Sequence, residues 1–317
     1  MRKALCVGID YYNCVGKLYG CVADAYSVKS ALDRNSDGTV NFSVNLMTAT
    51  SAETCISRKE LKSNVEDLFS NAPEIALFYY AGHGYIESTG GYLITSECTE
   101  GDDGFPLSEL LTIASASKAT NKIIILDSCH SGAMGNMNQF QEFSLINEGM
   151  TILTACSESQ YASEEQGHGV FTSLLVDALY GGAMNLLGEV TPGSVYAHID
   201  QALGPWEQRP LFKTNVRNFV SLRKNSPPIS LLELHQLTTL FADFGEEYRL
   251  DPSFEPDSPN PIKENNEKFR VLQNYNRVNL LIPVGAEHMY YAAMENKSCK
   301  LTPLGIHYWK LVRKGRI

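Results

Sequence analysis

The chain has no run of apolar residues approaching the roughly 18 that a membrane-spanning helix requires. Its opening MRKALCVGID holds an apolar stretch too short for a secretory leader and broken by Asp10, so it reads as a strand. None of the eight cysteines pairs at CxxC spacing, and none falls in a zinc-ligand pattern. Cys6, inside ALCVGI, reads instead as a small buried hydrophobe. A disulfide scaffold and a zinc module are thereby set aside, and a reduced compartment fits; the expectation is a soluble, cytoplasmic protein with no membrane contact. No internal repeat or long low-complexity tract is present. Basic residues are absent from a long central stretch: from Ile123 to Gln208, 86 residues carry no Lys or Arg but ten Asp or Glu. At the chain's own frequency of basic residues about seven would be expected there.

What is present has an ordinary globular composition, 44% hydrophobic and 20% charged over 317 residues, enough for one large domain and a small one. The net charge of −10 is unevenly spread. Residues 1–224 carry 15 basic against 25 acidic residues, and residues 225–317 carry 11 of each. The first part is therefore a poor nucleic-acid binder and suits cationic partners or substrates. Short apolar runs at 4–9, 42–48, 75–80, 122–126 and 150–155 alternate with helix-period segments at 23–33, 57–69, 106–115, 170–179 and 195–203. Strands apolar on both faces and separated by helices predict an α/β domain with a mostly parallel, doubly covered sheet. YIESTGGYLIT (85–95) predicts a hairpin turning at Gly90–Gly91. Asn-Ser-Pro-Pro at 225–228 reads as a linker, and 251–261 as a Pro- and Asp-rich loop. Beyond it, helical periodicity over 267–282 and a strand-then-helix pattern over 299–312 predict a small, mainly helical domain, 225–317.

Two strand ends carry the chemistry. One apolar run leads into Ala81-Gly82-His83-Gly84, the other into Asp127-Ser128-Cys129-His130-Ser131-Gly132. In parallel α/β sheets, reacting groups gather at the carboxyl ends of strands. If the two strands are neighbours, His83 and Cys129 face each other. An imidazole beside a thiol lowers the thiol pKa and then protonates a leaving amine. The flanking glycines let backbone amides approach a carbonyl, so Gly84 and Cys129 N–H are the candidate oxyanion hole.

YYAGHGY (79–85) and IIILDSCHSGA (123–133) resemble the His and Cys motifs of metacaspases and bacterial caspase-like (C14-type) peptidases. ALCVGIDYY (4–12), LYGCVADA (18–25) and TACSESQYASE with GVFTSLLVDAL (154–179) extend the resemblance over roughly 1–224. The separation of 46 residues between His83 and Cys129 is close to the caspase value of about 50. The resemblance implies a caspase-like α/β fold, a thiol-protease (hydrolase) activity through a Cys–His dyad with no third triad member, and no cofactor for the chemistry. It also implies an acidic S1 pocket from Asp24 and Asp127, hence cleavage of protein or peptide substrates after Arg or Lys. Metacaspases often have Ser where this chain has Ala81. Many metacaspases need calcium, and Glu97, Glu100, Asp102 and Asp103 in SECTEGDDG (96–104) are candidate oxygen ligands for that activator. Many are also cut at a basic residue in the loop after the nucleophile. Here residues 133–149 contain none, so self-cleavage there is not expected.

The end of the chain offers another trigger. Residues 297–317 hold six basic residues and no acid, suited to an anionic ligand or partner, and the segment around 300–309 resembles the end of a winged helix. Tyr308 and Trp309 read as packing residues. By analogy, a peptidase with such an appended domain suits a regulated effector in prokaryotic stress or anti-phage defence. Two rivals stand beside it: a non-proteolytic caspase-fold scaffold, and a DNA-binding regulator acting through residues 225–317.

Overall fold

The computed structural model describes residues 1–87, 90–130, 146–155, 164–165, 168–204 and 210–317. Two compact units, Met1–Ser226 and Pro227–Ile317, account for all of them.

In chain order the first unit runs β1 (Arg2–Ile9), α1 (Cys21–Asp33), β2 (Ser43–Ala49), α2 (Arg58–Phe69), β3 (Ile75–Glu87), β4 (Gly90–Leu93), β5 (Phe105–Pro106), α3 (Leu107–Ala116) and β6 (Asn121–His130). It continues with β7 (Met150–Thr154), β8 (Glu164–Glu165), β9 (His168–Gly169), α4 (Val170–Asp177), β10 (Glu189–Val190), α5 (Pro192–Ala202), β11 (Leu211–Asn215) and β12 (Arg223–Lys224). The main sheet has the order β11-β7-β6-β3-β1-β2, with β4 and β5 attached beside β3. Strands β7, β6, β3, β1 and β2 are mutually parallel, and β11 closes one edge antiparallel to β7. β1 is followed by β2 on one side and by β3 on the other, so the strand order reverses there.

Alternation along the strands builds two apolar layers. Leu5, Val7 and Ile9 share one with Ala76, Phe78, Tyr80, Ile124 and Leu126, covered by Leu61 and Val65 of α2 and Leu110 of α3. Ala4 and Cys6 share the other with Leu77, Tyr79, Ala81, Ile123 and Ile125, covered by α1, α4 and α5 through Ala25, Val28, Leu175 and Ile199. The residues of both layers are almost wholly buried, and each fully buried Leu, Ile or Phe contributes about 1.5–3 kcal/mol relative to exposure.

Three expectations need correction. Strands β3 and β6 do not stop at the apolar runs; they continue to Glu87 and His130, so His83 and Cys129 stand within strands. Gly90 and Gly91 lie inside β4, opposite Glu87 and Ile86, and are not the turn of the hairpin. The polar-looking β11 (LFKTN) is a sixth main strand that the apolar pattern did not reveal.

The second unit contains α6 (Leu231–His235), α7 (Leu237–Leu240), β13 (Glu247–Arg249), α8 (Lys263–Arg277), β14 (Leu281–Val284), α9 (Met289–Met294), β15 (Ser298–Leu301) and α10 (Pro303–Arg313). Its three strands form an antiparallel sheet in the order β13-β15-β14. The predicted helix over 267–282 ends at Arg277, and Leu281–Ile282 belong to β14; Asn279, at φ 60°, breaks the helix in the left-handed region that Asn tolerates. Tyr308 and Trp309 are buried, and Trp309 Nε1 donates to the Phe241 carbonyl at 2.8 Å, so both are packing residues. Lys300, Lys310, Arg313, Lys314 and Arg316 remain exposed. Among the described residues no helix is long and apolar enough to cross a membrane.

Candidate active site

β3 and β6 are adjacent and parallel, and the register sets Ala81 opposite Asp127, His83 opposite Cys129, and Gly84 opposite His130. The two motifs therefore meet at the carboxyl edge of the sheet, beside the point where the strand order reverses. This is the place at which open α/β sheets bind and react.

The chain leaving β1 shapes the same edge. β1 pairs with β3 only as far as Gly8 opposite Ala81, and then turns away. Asp10 Oδ1 accepts from the Cys21 and Val22 amides at 2.9 and 3.3 Å, capping the start of α1. Gly8 permits this, because a Cβ there would lie 2.4 Å from the Cys21 carbonyl oxygen. Between Asp10 and Cys21 the chain passes over His83. His83 Nε2 lies 2.7 Å from the Gly16 carbonyl oxygen, which can only accept. The Nε2–H tautomer follows, and Nδ1 keeps the basic lone pair. Burial lowers the His83 pKa while the Gly16 carbonyl pulls it back up. The ring is thus neutral near pH 7 and competent as a base. Sequence reading missed Gly16: a backbone carbonyl leaves no signature in side-chain identity.

Asp24 sits in the first turn of α1, buried, and its Oδ2 accepts from the Gly169 amide at 3.0 Å. A Cβ on Gly169 would lie 2.9 Å from Asp127 Oδ2 and 3.2 Å from Asp24 Oδ2, so the two carboxylates converge on that glycine. Asp127 Oδ2 also accepts from Thr172 Oγ1 at 2.5 Å, and the Tyr79 hydroxyl stands 2.6 Å behind Thr172. Both carboxylates lie against the start of α4, where helix amides and the helix dipole favour negative charge. Burial nevertheless dominates and, with a smaller push from Asp24, raises the Asp127 pKa to about 6. Among the described residues no Lys or Arg forms an ion pair with Asp127.

A caspase domain family model (peptidase C14) matches residues 1–221. The chain belongs to the caspase-domain family. Members are cysteine peptidases. A Geobacter sulfurreducens protein solved as a structural-genomics target superposes with a TM-score of 0.52 at 17% identity, over 72% of this chain and 98% of that one. Caspase-1 from Spodoptera frugiperda gives 0.50 at 12% identity, over 71% and 90%. These likenesses bear on the fold. No curated protein matches the chain.

Two carboxylates of the acidic loop 96–104 of the caspase domain bond to nearby amides and a hydroxyl. Glu97 accepts from the Arg58 amide at 2.9 Å, at the start of α2. Asp103 turns back on its own loop, accepting from Thr99 Oγ1 at 2.5 Å and from the Glu100 amide at 3.3 Å. Glu97, Glu100, Asp102 and Asp103 are all exposed, and no three or more His, Cys, Asp or Glu among the described residues are placed to hold a metal ion. Cys156, most of the loop 133–149 and Gln208 lie outside the described residues.

Proposed function

We propose that this caspase domain is a cysteine endopeptidase cutting after Arg or Lys, with Cys129 as nucleophile and His83 as acid/base. The observation that carries the reading is the register pairing of His83 with Cys129 on adjacent strands. Cys129 Sγ, its proton taken by His83 Nδ1, attacks the scissile carbonyl; the amides of Gly84 and Cys129 hold the oxyanion. His83 then returns that proton to the leaving amine, and water, deprotonated by His83, hydrolyses the thioester. Asp24 and Asp127 supply the S1 charge, and their convergence at Gly169 supports that role. A P1-varied peptide library tests the reading: Arg and Lys should dominate, and cleavage after Asp or after apolar residues would refute the pocket. Labelling of Cys129 by a thiol-directed electrophile separates the peptidase from a non-proteolytic scaffold.

Control follows from the missing basic residues. An enzyme restricted to Arg or Lys at P1 cannot process itself between Ile123 and Gln208. Intact-mass spectrometry of fully active enzyme should show that stretch uncut; an obligatory cut there would overturn both specificity and control. The trigger is then conformational, and the second unit, with its exposed basic residues at 300–316, is the proposed receiver of an anionic signal. This arrangement suits a regulated effector in stress or anti-phage defence. Calcium, acting through the carboxylates of 96–104, is the other proposed trigger; the same assay with calcium and with a chelator decides between them. Salt-dependent binding of the full chain to duplex DNA would favour the DNA-binding regulator instead.

A further inference from the structure

His83 stands at a fork in the sheet. Its neighbour β1 has departed after Gly8, and the pairing with β4 begins only at Gly84 opposite Leu93. The His83 carbonyl still accepts from the Ile94 amide at 3.0 Å, but its amide meets a side chain instead of a strand. Two buried tyrosines complete the bonding. The His83 amide donates to the Tyr12 hydroxyl at 2.9 Å, and the Tyr80 hydroxyl donates toward the His83 and Ile94 carbonyls at 2.8 Å each. The Tyr12 and His83 rings are tilted at 49° with centroids 4.8 Å apart. Tyr12 and Tyr80 are 3% and 0% exposed, and the space between their hydroxyls exists only because residue 82 is glycine: a Cβ there would lie 2.6 Å from both oxygens. Four residues after Tyr12, the same segment supplies the Gly16 carbonyl that fixes the imidazole.

We propose that Tyr12 is a positioning residue for His83: its hydroxyl replaces the missing strand at the fork, fixing the His83 backbone so that Nε2–H stays on Gly16 and Nδ1 remains the reactive nitrogen. This rests on His83 being the acid/base group. A shift of about 1 Å in such a group is enough to slow catalysis by two orders of magnitude.

Tyr12→Phe keeps the ring and removes the acceptor. The expected result is a kcat at least tenfold lower with KM within twofold. His83, followed by NMR of the labelled imidazole, should titrate at lower pH than in the wild type, because the Gly16 bond that raises its pKa is loosened. Should the Phe variant fail to fold, 3,5-difluorotyrosine at position 12 retains shape with a weaker acceptor, and a smaller change of the same sign is expected. An unchanged kcat and unchanged His83 titration in either folded protein overturns the proposal. So does a loss of activity with His83 titrating as in the wild type, or a rise in KM alone. His83→Ala separates the layers: activity surviving that change defeats the dyad itself, whereas an inactive His83→Ala beside an unaffected Tyr12→Phe defeats the positioning role only.

Discussion

Cys129→Ala and His83→Ala should each lower kcat/KM by about ten-thousandfold or more while leaving the thermal midpoint nearly unchanged. Both residues lie in β3 and β6 past the apolar runs 75–80 and 122–126 that build the core. The two losses should not add in the double variant, because nucleophile and base act as one unit. Two other cysteines of the caspase domain are poorly suited to take over. Cys6 is fully buried, and burial drives its thiol pKa far above the ordinary value; Cys98 is also buried and raised. Because burial lowers the His83 pKa, the acid limb of kcat/KM in the wild type should lie below the usual histidine value of about 6.5. Substantial cleavage by Cys129→Ala would end the assignment and direct attention to Cys21 or Cys156.

The fold was legible because its strands are apolar on both faces, a pattern that only a doubly covered sheet accommodates. β1, β3 and β6 were legible in VGI, IALFYY and IIIL for that reason, whereas β11 was not: none of the five residues of this edge strand is buried, so its apolar signal is weak. The candidate dyad was legible as residue types, yet its setting was not. The apolar pattern put His83 at a strand end; in the folded chain Gly82 serves close packing against Tyr12 and Tyr80 inside a continuing strand. The Gly16 carbonyl and the start of α4 were invisible for a different reason. They act through backbone groups brought from far along the chain, Gly169 lying 145 residues from Asp24. Sequence identifies side chains, and this site is half main chain.

Asp127→Asn should have opposite effects on function and on stability. The native state holds the Asp127 proton up to about pH 6, against an ordinary carboxyl value of 3.8. Between those values the native state binds more protons than the unfolded chain, so stability falls as pH rises. The full penalty is present above about pH 6 and amounts to about 3 kcal/mol, at 1.36 kcal/mol per pKa unit. An asparagine can still accept from Thr172 and carries no charge. The variant should therefore melt at a higher temperature than the wild type at pH 7.5, with the gap closing toward pH 4. In the proposed S1 pocket an entering guanidinium or ammonium would offset the same penalty. Turnover of an Arg substrate by Asp127→Asn should drop about a hundredfold, since a buried cation then faces one carboxylate in place of two. In the wild type, selectivity for Arg over a neutral P1 should decline as pH falls through about 6 and Asp127 takes up its proton, on top of any loss from His83 that affects both substrates equally. Melting curves at pH 4 and 7.5, with paired Arg and neutral P1 substrates across pH 5–8, give both readouts. A variant that is stabilised yet cleaves Arg substrates as before would show that Asp127 serves the start of α4 and not the P1 side chain.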